Sequence, residues 1–110
     1  MDIYILDDSR NAIRCGMGEW GEFMSDPSKR IVARSTLSVS EVSTVFLGMD
    51  HSFMEGPPLL FETMVFGGKH DGYMERYCTW EEAQAGHDRV CYMVDKESID
   101  RDAKIRSLGI

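Results

Sequence analysis

The chain has 110 residues, 43% of them hydrophobic and 28% charged, and a net charge of −7. That length and apolar content suit one hydrophobic core and exclude a chain disordered throughout. No apolar stretch approaches the roughly 18 residues of a membrane span, and the acidic balance disfavours direct binding to a phosphate backbone, which needs a basic footprint.

The start, M-D-I-Y-I-L-D-D, lacks a basic region and a cleavage-like site, so a signal peptide is not expected and the protein is expected to be soluble and intracellular. Residues 3–6 read as a strand. The polar cluster 7–11 reads as a turn, because short polar side chains bond to nearby backbone there, and residues 12–15 return as a second strand. In residues 17–24, Met17, Trp20, Phe23 and Met24 fall at helical spacing. The short helix they predict is weakened by Gly18 and Gly21, at about 1 kcal/mol each relative to alanine, and ends at Asp26-Pro27.

Residues 30–37 and 42–49 are β-branched runs joined by a short polar connection, which predicts an antiparallel hairpin. Residues 50–58 form a loop stiffened by Pro57-Pro58. Residues 59–66 read as a further strand, stopped by Gly67-Gly68. Period 2 places Leu59, Phe61, Thr63 and Val65 on one face and Leu60, Glu62, Met64 and Phe66 on the other. Thr79 with Glu82 three residues on is a capping box, and it opens the strongest helix. The apolar stripe of that helix is Trp80, Ala83, His87, Val90, Cys91 and Val94, with Gly86 allowing a close backbone approach. These elements predict an α+β fold: a small antiparallel sheet of about four strands packed against the helix from Thr79 to about Asp95, with the short helix at its edge. Residues 1–95 form a single domain, and 96–110 a charged C-terminal helix or tail.

His87 is the sharpest oddity, a histidine on the core face of an amphipathic helix. It is either a satisfied core histidine or a pocket-lining one. Glu62 among apolar neighbours needs a partner, for which His87 and Arg76 are candidates. A Glu62–His87 contact across the sheet–helix interface is the main structural expectation, serving as a core clamp or, with His51, as an acid/base site. Asp50 and His51 end a strand, where loops commonly carry function, or Asp50 simply caps a turn. Phe53, Met54 and Tyr73 are candidate exposed anchors for a partner. Eight methionines suit either an irregular core or an adaptable binding surface. Cys15, Cys78 and Cys91 form no C-x-x-C pair and are expected to be reduced. Residues 67–72, G-G-K-H-D-G, lack the phosphate-loop pattern. Neither a metal nor a cofactor is expected.

The segments S-T-V-F-L-G-M-D-H-S-F, G-P-P-L-L-F-E-T-M-V-F-G-G and E-R-Y-C-T-W-E-E-A-Q-A-G-H together resemble a family of small uncharacterised proteins of tailed phages and prophages. The likeness extends to the opening Y-I-L-D and to E-W-G-E-F-M, and is weakest after Asp95. It implies a phage accessory protein acting in the bacterial host cytoplasm and carries over no catalytic residue. The leading expectation is a non-enzymatic anti-defence factor. Its partner would be a host immune protein such as a CRISPR effector, or a nucleotide-type small molecule held as a sequestered signal. No membrane partner is expected, and a homodimer stays open. The alternatives are a small acid/base enzyme using Glu62, His87 and His51, and a virion or assembly component.

Overall fold

Two β-branched runs pair as the hairpin that begins the main sheet. The computed structural model describes residues 2–52 and 55–107, the last eleven by their backbone alone. Strands β1 (Tyr4–Leu6) and β2 (Ala12–Arg14) form a small antiparallel sheet, followed by helix α1 (Met17–Met24) and a 3-10 turn at Pro27–Lys29. Strands β3 (Ile31–Thr36), β4 (Glu41–Phe46), β5 (Phe61–Phe66) and β6 (Met74–Tyr77) make an antiparallel sheet in the order β3-β4-β5-β6. Helix α2 runs from Trp80 to Ser107 and packs along all four of these strands. The fold is therefore α+β, as the hydrophobic periods predict. Among the described residues no helix is long and apolar enough to cross a membrane.

Local chemistry places the boundaries. The Thr79 hydroxyl accepts from the Glu82 N–H and donates to the Glu82 carboxylate, each at 3.1 Å, so Thr79 caps α2 and the expected pair meets through its side chains. Gly67 and Gly68 end β5 with φ of +84° and +72°. Their left-handed backbone turns the chain against Val39 and Ser40, and the Ser40 hydroxyl donates to the Gly67 carbonyl at 2.9 Å. The Asp71 carboxylate accepts from the Gly67 N–H at 2.7 Å, so the loop binds an anion of its own making. Strand β6 has no signal in the sequence beyond its short length between this loop and the α2 cap.

Helix α1 is held through few contacts. The Trp20 indole N–H donates to the Gly48 carbonyl at 3.0 Å, and Phe23 meets Phe46 edge-on at 5.9 Å. Met17, assigned by spacing to the buried stripe, is instead 71% exposed.

On its buried face α2 closes two apolar clusters. One joins Phe46, Phe61, Tyr77, Trp80 and Ala83 to Tyr4, Leu6 and Leu60. The other joins Val42 and Val65 to Val90 and Val94. Between Ala83 and Val90 lies His87, where the core becomes polar.

Candidate functional site

The strand register explains why the core is divided. On the helix side of the sheet, Val42 stands beside Val65, Thr44 beside Thr63 and Glu75, and Phe46 beside Phe61 and Tyr77. A polar row thus runs across the strands between two apolar rows, and His87 lies on it. The imidazole Nδ1 is 2.7 Å from Thr44 Oγ1, and Nε2 is 2.9 Å from Ser35 Oγ. Thr44 Oγ1 and Thr63 Oγ1 are 2.5 Å apart, and Thr63 Oγ1 is 3.0 Å from the Tyr77 hydroxyl. Tyr77 in turn lies 3.2 Å from Glu75 Oε1, which Arg89 of α2 pairs. Tyr73 donates to the other Glu75 oxygen at 2.5 Å. Ser35 and Tyr77 join from the neighbouring rows, so every strand of the sheet contributes to the network.

The direction of the protons follows from counting them. A carboxylate only accepts and a phenol has one proton, so Tyr77 donates to Glu75 and accepts from Thr63. Thr63 then accepts from Thr44, and Thr44 accepts from His87 Nδ1–H. His87 Nε2 is left bare and accepts from Ser35. Glu75 at one end thereby fixes the tautomer of His87 at the other.

The electrostatics agree with a neutral histidine. His87 is 2% exposed, and burial pushes its pKa below the usual value, with Asp88 opposing in part. Burial acts to raise the Glu75 pKa, but hydrogen bonds from Tyr73, Arg89 and Tyr77 outweigh it and hold the carboxyl below its ordinary range. Burial raises the Tyr77 phenol, keeping it a donor. Burial and the Glu19 charge raise Cys15, and the three described cysteines are free, half-buried thiols with raised pKa values.

The expected Glu62–His87 contact is corrected. Glu62 points to the opposite face of β5 from Thr63, and its Oε2 accepts from Arg76 Nε at 3.1 Å. Arg76, named as the other candidate, is its partner. An acid/base trio of Glu62, His87 and His51 is therefore not assembled on one face. His51 lies past the end of β4, its backbone N–H donating to the Leu59 carbonyl at 3.0 Å. Asp50 beside it accepts from the Ser52 and Leu59 N–H groups at 2.9 and 3.0 Å, which closes the turn and, Ser52 foremost, lowers its pKa. Tyr73 is 37% exposed. Phe53 and Met54 lie outside the described residues. Among the described residues no three His, Cys, Asp or Glu side chains group as a metal site.

The face of the sheet turned away from α2 is uncovered. Across the strands it reads Ile31, Val45, Glu62, Arg76; then Arg34, Ser43, Met64, Met74; then Thr36, Glu41, Phe66. Ile31, Phe66 and Met74 are 38%, 49% and 42% exposed, and Val45 and Met64 are half-buried beside them. The charges there neutralise one another, Arg34 with Glu41 at 3.0 Å and Arg76 with Glu62. None of the described methionines is fully buried, so those on this face are not core fillers. Its signal in the sequence is Met64 and Phe66 alternating beside Glu62, apolar enough for a strand covered on both sides or on one side by a partner.

Comparisons with protein-family models, with curated proteins and with solved structures each find no match for this chain.

Proposed function

We propose that the protein is a phage accessory factor that works by binding, without catalysis, to a host defence protein through the uncovered face of its four-stranded sheet. The observation that carries this reading is that face: apolar side chains from all four strands, with their neighbouring charges already paired. Contiguous exposed apolar surface of this kind is uncommon on a monomer and marks interaction sites.

Charge points to the kind of partner. With a net charge of −7, and with Glu19, Glu22, Glu81, Asp88 and Asp95 exposed on the helices, the molecule is drawn to basic surfaces. A host protein that normally holds nucleic acid, such as a CRISPR effector, presents a basic surface of that kind. The acidic surface would steer the encounter and the sheet face would supply affinity.

The test pairs capture with function. Tagged protein and the double variant Phe66→Asp, Met74→Asp are compared in capture from host lysate and in protection of phage against a host with active immunity. Both residues are about half exposed and Phe66 stands opposite Glu41, so a loss of about 1–2 kcal/mol each is expected, and circular dichroism first checks that the variant is folded. Loss of both the captured defence protein and protection in the folded variant supports the reading. Retention of either sinks it.

A further inference from the structure

A cleft of about 300 Å³ opens between the turn that joins β1 to β2 and the start of α2. Tyr4, Trp80, Pro57, Pro58, Arg10 and Glu81 are among the residues that line it. It shares no lining residue with the uncovered sheet face.

Arg10 is the unusual member. The Asp7 side chain accepts from the Ser9 and Asn11 N–H groups, each at 2.9 Å, and the Arg10 N–H donates to the Asp7 carbonyl at 2.9 Å. This network holds Arg10 at φ +65°, a left-handed conformation that costs a residue with a Cβ roughly 1–2 kcal/mol and that glycine would adopt freely. The arginine places its guanidinium 4.6 Å from the centre of the Trp80 ring, at the cleft. Arg14, Arg34, Arg76 and Arg89 are taken up in ion pairs with the chain's own carboxylates, whereas Arg10 lies on an aromatic face. Stacking uses the flat face of a guanidinium and leaves its in-plane N–H fork, the part that takes a carboxylate or phosphate.

We infer that this cleft binds a small amphiphilic anion, one acidic group carried on a flat apolar body. The acid sits on the Arg10 fork, and the body lies against Tyr4, Trp80 and the two prolines. The volume falls at the low end for ligand sites, which limits the body to about one ring system. Glu81 at the rim disfavours further negative charge.

The test uses the full chain with Trp20→Phe, so that Trp80 is the sole tryptophan reporter. Its emission is titrated with phenylacetate and with adenosine 5′-monophosphate, and with their neutral counterparts phenylacetamide and adenosine. At least one acid should quench saturably, and its neutral counterpart should bind about tenfold or more weakly. Arg10→Met should weaken the acid by about ten- to hundredfold while leaving the neutral compound unchanged, and Glu81→Gln should tighten the acid. Phenylacetate binding alone assigns a carboxylate ligand, and adenosine monophosphate alone a phosphate. The inference falls if neither acid saturates, if neutral and acidic forms bind alike, or if Arg10→Met in a folded protein changes nothing. The Phe66→Asp, Met74→Asp variant should bind the same ligand unchanged, so the failure of one proposal is separable from that of the other.

Discussion

Thr63→Val tests whether the polar row holds the fold. Thr63 is fully buried, with its hydroxyl 2.5 Å from Thr44 and 3.0 Å from Tyr77. Valine keeps the shape and removes both bonds. Two bonds contribute about 1 kcal/mol each, and the Thr44 proton left without an acceptor costs about 1 kcal/mol more. Burying a methyl in place of the hydroxyl returns about 1 kcal/mol, so the net loss is about 2 kcal/mol. Thr63→Ser keeps both bonds and loses one methyl, at a cost of about 1 kcal/mol. The expected order of stability is wild type, then Thr63→Ser, then Thr63→Val. If shape and apolar burial alone mattered, valine would equal or exceed wild type and serine would be worst. Equilibrium urea unfolding followed by circular dichroism near neutral pH reads the order, provided the m-values agree. Valine at or above wild type, with serine below both, refutes the account.

The remaining predictions concern the same interface. The His87 pKa is depressed by burial, so the unfolded chain binds its proton more tightly; stability should be full above about pH 6.5 and fall below it, by at most about 1.4 kcal/mol per pH unit, until the folded pKa is passed. Urea midpoints from neutral to mildly acid pH in wild type and His87→Gln should show this slope lost in the variant; equal slopes would contradict the assignment. Glu75 acts in the same direction but only below about pH 4.5, where its depressed pKa begins to matter, so the two windows separate. Gly86→Ala should destabilise despite alanine's helix propensity, because an added Cβ overlaps the Tyr77 ring, itself held by Thr63 and Glu75. A loss of about 1–2 kcal/mol is expected, shrinking in a Tyr77→Ala background, and a double-mutant cycle by urea unfolding measures it. Arg76→Met should cost about 1–3 kcal/mol, because it leaves the mostly buried Glu62 carboxylate without its partner, and should leave the His87 pH slope unchanged, since Glu62 and His87 occupy opposite faces. A changed slope by the same titration would restore their coupling.

Patterns that depend on near neighbours were legible in the sequence. The hairpin of β3 and β4, strand β5 with its glycine stop, helix α1 and the capped helix α2 all follow from period 2, period 3.6 and side chains that bond to adjacent backbone. So did the close approach at Gly86. The sequence also singled out His87 as a polar group in the core, because its place on the helical stripe is local information.

The partners of His87 were decided only by tertiary structure. Both faces of β5 are apolar enough to be buried, so alternation could not say which one meets α2. Satisfaction of the buried polar groups accounts for the outcome. Phe61, Thr63 and Val65 turn inward because the threonine hydroxyl finds Thr44 and Tyr77, and through them His87, without burying a charge. Glu62 turns outward, where Arg76 neutralises it beside water. Cross-strand register, which no single segment encodes, sets Thr44 beside Thr63 and Thr63 beside Glu75 and leaves Ile31, Met64, Phe66 and Met74 on the uncovered face.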